Sequence, residues 1–201
     1  VVRWPGTLKP GSRYNDIMSQ EDWLPTLLAA AGEPGIVDKL KKGHEANGKT
    51  WKVHLDGYDF TPRLKGETDK GPREQILYFS PDGELNAVRW NDWKIHFAQM
   101  VGNITNATRE VTGWPAIIHL KADPYEHAWD ESSMYMRWYA DNMWLFVPIQ
   151  AEIQKFLATI PEYPFQEGQS LNASGINYRS LKALNVLKQI EGKGLIEVPG
   201  R

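Results

Sequence analysis

The stretch from Ile76 to Phe97 most constrains what this chain can fold into. Ile76-Leu77-Tyr78-Phe79, Leu85-Asn86-Ala87-Val88-Arg89-Trp90 and Trp93-Lys94-Ile95-His96-Phe97 are apolar-rich runs separated by a Pro81-Asp82-Gly83 turn and the pair Asn91-Asp92. Short runs of strand-forming residues joined by turn-forming pairs predict an antiparallel meander. Ala116-Ile117-Ile118-His119-Leu120 supplies a further strand, so the expected sheet has three to four strands.

Helical periodicity flanks this meander. Ser19, with Asp22 three residues on, resembles a capping box ahead of Trp23, Leu24, Leu27, Leu28 and Ala31, and Gly32 is placed to end the helix. Pro25 falls in its first turn, where the missing N–H costs least. Ile36–Lys42 predicts a short helix, 43–48 a polar loop, 50–55 a short strand and 56–73 mostly connection. In the last third, Ile149, Ile153, Phe156, Leu157 and Ile160 follow Pro148 at helical spacing. Leu181, Leu184, Leu187 and Ile190 form a second stripe, and 161–175 reads as a linker or strap. The fold class is α+β: a small antiparallel sheet packed with helices, with a helical C-terminal third.

Composition narrows the function by exclusion. A net charge of −2, with mixed signs throughout, argues against a nucleic-acid surface held by phosphate contacts. No run of 18 apolar residues exists, so no membrane-spanning helix is expected. With no cysteine, thiol catalysis, thiolate metal sites and disulfides are excluded for this segment. The opening Val1-Val2-Arg3-Trp4-Pro5-Gly6, without Met or a signal pattern, reads like the middle of a larger protein. Nine Trp are unusual, and packing takes the larger share of them against a sugar- or aryl-binding surface.

A search for chemistry yields little. Among His44, His54, His96, His119 and His127 there is no close ligand pair, and no nucleophile elbow or phosphate-cradling loop occurs. His54, His96 and His119 lie in strand-like apolar runs that favour structural roles, and Asp56, Asp59, Asp82 and Asp92 read as loop carboxylates. Asn103, Asn106 and Asn172 open glycosylation-type triplets that carry chance-level weight. Residue by residue, the chain stops at an α+β domain without a self-contained active site.

Five colinear segments extend the reading. They are Val2-Arg3-Trp4-Pro5-Gly6; Ser19 to Gly32 with Pro25-Thr26-Leu27-Leu28; His54-Leu55-Asp56-Gly57-Tyr58-Asp59 with Leu64-Lys65-Gly66; Ala87 to Phe97; and Leu120-Lys121-Ala122-Asp123-Pro124-Tyr125-Glu126. In this order and spacing they resemble the C-terminal portion of a type I sulfatase of the bacterial arylsulfatase kind, in the alkaline phosphatase superfamily. The family writes them as a strand and turn after its last catalytic lysine, an Asp-x-x-Pro-Thr-Leu-Leu helix, a Leu-Asp-Gly loop, an Ala-x-Arg/Trp-Lys strand pair and an Asp-Pro-x-Glu close. His119 stands where the family usually has Asn. From about Ser133 the resemblance narrows to the bacterial subset, through Phe146-Val147-Pro148 and Tyr163-Pro164, and it ends near Tyr178.

The resemblance implies a sulfuric ester hydrolase as parent, using a formylglycine nucleophile and a calcium ion, neither provided by this chain. It divides the chain into residues 1–32 as the end of the large domain, 33–132 as the C-terminal subdomain and 133–201 as a helical extension. It implies no catalytic and no metal-binding residue here, and it makes His54, His96 and Gln99 substrate-rim candidates. Arg89 and Lys94 are expected to act structurally near the strand turn. The implied partners are an N-terminal sulfatase domain and a sulfate-ester small molecule or sulfated glycan. Periplasm or secretion suits such a parent, without fixing the compartment. The competing readings are a free-standing carbohydrate-binding or interaction module, and the same region of a phosphodiesterase or phosphonate hydrolase.

Overall fold

The computed structural model describes residues 1–80, 83–103 and 105–163. The expected Leu181–Ile190 stripe and nearly all of the 161–175 linker lie outside the described residues. The chain divides into two units, Val1–Tyr78 with Leu85–Pro164, and Phe79–Glu84 with Phe165–Arg201. In the second unit, Ser80 N donates to Glu84 O at 2.8 Å and Gly83 N to Ser80 O at 2.9 Å.

Twelve α-helices and β-strands can be followed among the described residues. The first five are α1 (Trp23–Ala30), α2 (Ile36–Lys42), β1 (His44–Ala46), β2 (Lys49–Trp51) and α3 (Thr61–Lys65). Then come β3 (Gln75–Phe79), β4 (Leu85–Trp90), β5 (Trp93–Val101) and β6 (Thr108–His119). The chain continues through α4 (Ala128–Glu131), α5 (Tyr135–Asn142) and α6 (Phe146–Leu157). Strands β3 to β6 form one four-stranded sheet in sequence order, the meander expected from their spacing, and β1 and β2 form a separate hairpin.

Three local expectations are corrected. The 43–48 loop contains β1, because Asn47 and Gly48 both adopt positive φ (54° and 72°), the conformation of a type I′ hairpin turn. The strand expected over 50–55 ends at Trp51, after which Val53 N donates to Leu40 O of α2 at 3.0 Å. In α1 the apolar stripe is not what packs inward. Leu24 and Leu27 are 51% and 62% exposed, whereas Asp22, Pro25 and Thr26 are buried. The reason is hydrogen bonding to the 58–60 segment: Tyr58 N donates to Asp22 Oδ1 (2.8 Å), and Phe60 N to Thr26 Oγ1 (3.0 Å).

The sheet's inner face carries the main core. Side chains alternate across a strand, so Trp93, Ile95 and Phe97 of β5 share one face, and Lys94, His96 and Ala98 the other. Ile95, Val88 and Ile117 are fully buried against Tyr139, Leu145 and Ile149. Trp93 stacks with Trp138 at 5.9 Å and meets His119 edge-on at 4.5 Å, so part of the tryptophan surplus is packing. Trp51, Trp114, Trp129 and Trp144 stay exposed by a third or more. Pairing of β5 with β6 jumps from His96↔Ala116 to Ala98↔Val111, a bulge that Pro115, with no N–H to give the ladder, helps accommodate.

Candidate functional site

The sheet face opposite the core opens into a cavity of about 320 Å³. Ala87 and Ala98, each 2% exposed, line it with methyl groups where larger side chains would fill it. Tyr78 of β3 and Trp129 of α4 contribute aromatic rings; Lys94, His96, Gln99, Asn86, Met100 and Glu126 complete the lining. Its position follows from the β5 alternation, with the His96/Ala98 bulge lying directly beside it.

Glu126 reaches the cavity through the turn after β6. Asp123 Oδ1 and Oδ2 accept from His127 N (3.1 Å) and Ala128 N (2.8 Å), which starts α4. This turn holds Glu126 at φ 60°, a left-handed conformation that costs a non-glycine residue about 1 kcal/mol. The side chain is secured in return. Lys94 Nζ donates to both carboxylate oxygens (2.8 and 2.9 Å), and His96 Nε2 lies 2.6 Å from Oε2. Trp129 Nε1 donates to the Glu126 carbonyl at 2.8 Å, which fixes the indole.

Burial raises the Glu126 pKa, but the Lys94 bond and charge, followed by His96, outweigh it and hold the carboxyl below its ordinary value. For His96, burial first and the Lys94 charge second lower the pKa against the opposing pull of Glu126, so the ring is neutral at pH 7. An ionised carboxylate only accepts, which places the imidazole proton on Nε2. Lys94 also sits 5.0 Å from the Tyr78 ring centre, and burial pushes the Tyr78 phenol up. The half-buried Gln99 amide has no hydrogen-bond partner among the described residues.

Of the rim candidates, the structure brings His96 and Gln99 to this cavity, and His54 is not in its lining. His54 lies past β2 in no strand, with Nδ1 3.1 Å from Asp56 Oδ1 and its ring 5.3 Å from that of Tyr163. The Leu55-Asp56-Gly57 loop belongs to a second, buried cluster. Arg73 donates from Nε and Nη2 to the two oxygens of Asp22 (2.8 and 2.6 Å), and Nη2 also reaches the Asp56 carbonyl at 2.9 Å. A Cβ on Gly57 would stand 2.1 Å from Glu21 O, so the loop packs at this distance only as glycine.

Sequence reasoning missed three residues of these clusters as contributors: Arg73, Glu126 and Trp129. Glu126 had a signal, the Asp-Pro-x-Glu segment; Arg73 and Trp129 had none. Lys94 acts through Glu126 and Tyr78, while Arg89 Nε donates to the Asn91 carbonyl at 3.0 Å at the strand turn. Among the described residues no group of three His, Cys, Asp or Glu is arranged to hold a metal ion, so the calcium implied by the resemblance finds no fitting donor set there. The cavity carries one ammonium, one carboxylate, a phenol and a neutral imidazole. Such a set can bind and orient a polar ligand.

The fold is that of a sulfatase subdomain. The chain superposes on the crystal structure of the PsFucS1 sulfatase from Pseudoalteromonas sp. with a TM-score of 0.58 at 23% identity, covering 82% of this chain and 30% of that one. In sequence it is similar to human arylsulfatase A (36% identity over 98 residues, 47% of this chain and 16% of that protein). It is also similar to human steryl-sulfatase (27% over 103 residues, 48% and 15%). No protein-family profile matches the chain. The region of similarity spans about a sixth of the length of these sulfatases.

Proposed function

We propose that this chain is the C-terminal part of an arylsulfatase-like sulfuric ester hydrolase, supplying scaffold and part of the rim of the substrate cleft. The observation that carries this reading is the 36% identity to arylsulfatase A over nearly half the chain. The cavity agrees with it, since two of the motif segments, Trp93-Lys94-Ile95-His96 and Asp123-Pro124-Tyr125-Glu126, meet there through Lys94, His96 and Glu126. On this reading the nucleophile and the calcium ligands belong to an accompanying sulfatase domain. The present residues hold and orient the substrate at the cleft edge, and the 201-residue chain alone has no hydrolytic activity.

The test is to read the full open reading frame and assay its product. A Cys/Ser-x-Pro-x-Arg motif upstream, together with hydrolysis of 4-nitrophenyl sulfate by the full product and not by the 201-residue chain, is the expected outcome. A frame lacking that motif sinks the sulfatase reading. Threonine or serine outside such a motif, with phosphodiester hydrolysis, would move the protein to the related phosphate chemistry.

A further inference from the structure

We propose that the cavity beside Lys94, His96 and Glu126 receives an uncharged, hydroxyl-bearing sugar ring adjacent to the sulfated position, and disfavours a second sulfate there. This deepens the sulfatase reading and rests on it for the neighbouring sulfate.

The charge arrangement comes first. Lys94 is the cation lining the cavity, and its ammonium is already bonded to both Glu126 oxygens. His96 is uncharged at neutral pH and directed at the same carboxylate. Arg89, which acts on Tyr78, spends Nε on the Asn91 carbonyl and is not in the lining. An anion entering here would meet a paired lysine and an ionised carboxylate, and would lose hydration without gaining a free cation.

Hydroxyl groups meet the opposite situation. The unpartnered Gln99 amide offers both a donor and an acceptor, and carboxylate oxygens have lone pairs to spare beyond Lys94 and His96. A plain aryl ring would leave these groups unpaired, and buried polar groups without partners cost about 1–3 kcal/mol each. Apolar contact is available too. The Trp129 indole is held by its bond to the Glu126 carbonyl, a preorganised surface for the C–H face of a sugar. The volume of 320 Å³ lies at the lower end of small-molecule sites, fitting a single ring.

The experiment is calorimetric titration of the 201-residue chain, its Trp129→Ala and Gln99→Ala variants, and a Lys94→Met variant. The probes are neutral methyl glucoside, galactoside and fucoside, galactose 6-sulfate, 4-nitrophenol and sodium sulfate. Saturable binding of a neutral glycoside in the millimolar range is expected, weakened about tenfold in both W129A and Q99A, with the sulfated sugar weaker than its neutral parent. Should W129A not fold, as judged by its melting curve, Q99A carries the comparison, because that amide supports nothing else. The proposal is overturned if no neutral glycoside saturates. It is equally overturned if sulfate or 4-nitrophenol binds better than the glycosides, or if sulfate binding is abolished by K94M. These outcomes are independent of the upstream motif. Glycoside binding without the motif sinks the sulfatase reading alone, and the motif without glycoside binding sinks the subsite alone.

Discussion

Replacing Asp22 with Asn is the sharpest probe of what holds the first third of the chain together. The Asp22 side chain is fully buried, and each carboxylate oxygen accepts twice. Oδ1 takes Tyr58 N (2.8 Å) and Arg73 Nη2 (2.6 Å), and Oδ2 takes Ser19 N (2.7 Å) and Arg73 Nε (2.8 Å). An amide keeps one acceptor oxygen and turns an NH2 against the other two donors. It also leaves Arg73, 5% exposed, with Glu21 Oε1 at 2.7 Å as its remaining carboxylate partner. Breaking a buried pair from one side costs about 3–5 kcal/mol, and the surviving Glu21 contact places D22N near the lower end, at about 3 kcal/mol. With a urea m-value of roughly 2–3 kcal/mol/M, the unfolding midpoint should drop by about 1–1.5 M with m unchanged. R73M and the D22N/R73M double variant complete a cycle, and the double should cost clearly less than the sum of the singles. A loss below about 1 kcal/mol in D22N, or strict additivity in the cycle, would refute the assignment of this pair as the organising contact.

Gly57→Ala should be as damaging, because its Cβ would lie 2.1 Å from a backbone oxygen that cannot move without α1; about 3 kcal/mol is expected, and an unchanged melting temperature would contradict the packing described. Ile149→Ala, at 1% exposure in the core, should cost about 2–5 kcal/mol, whereas Leu27→Ala on the exposed side of α1 should stay within about 0.5 kcal/mol; denaturant curves that reverse this order would place the core wrongly. The pH dependence has a definite sign. His96 titrates below its ordinary 6.5 in the folded chain, so the unfolded chain binds more protons in that window, and stability falls as pH is lowered from 6.5. Glu126, held below its ordinary 4.5, contributes stability that is full above that value and lost as pH falls through its lower folded pKa. Urea midpoints measured against pH should show the upper part of this loss, and His96→Gln should flatten it; an identical profile in H96Q would refute the role of His96.

Legibility in the sequence followed the physics of each element. The meander was readable because apolar-rich runs from Ile76 to Phe97 are separated by short turn-forming segments, and the sheet they join has four strands in sequence order. The β1–β2 hairpin was missed although Asn47-Gly48 is a strong turn signal, since its strands are three residues each and mostly polar. The inward face of α1 was misread because periodicity locates apolar residues, and here a buried carboxylate and a threonine hydroxyl, satisfied by distant backbone, take the inside. The cavity was half legible. His96 sits on a strand face that follows from alternation, but Gln99, of opposite parity, lines the cavity beyond the His96/Ala98 bulge, and Trp129 comes to it through a turn 30 residues further along, neither of which a local period encodes.

The colinear motifs sort themselves in space by exposure. The Ser19–Gly32 helix and the Leu55-Asp56-Gly57 loop are joined by Asp22 and Arg73, both out of water, so any substitution there acts on folding before it can act on a ligand. The Trp-Lys strand and the Asp-Pro-x-Glu turn are joined by Lys94, His96 and Glu126, whose side chains keep 16%, 19% and 28% of their surface accessible beside an open cavity. A buried ion pair specifies one arrangement of scaffold and tolerates no third party. A partly exposed one retains lone pairs and a face for something else to meet. The strained φ of Glu126 belongs to that second kind: the turn holds a carboxylate against Lys94 and His96 in the lining of the cavity.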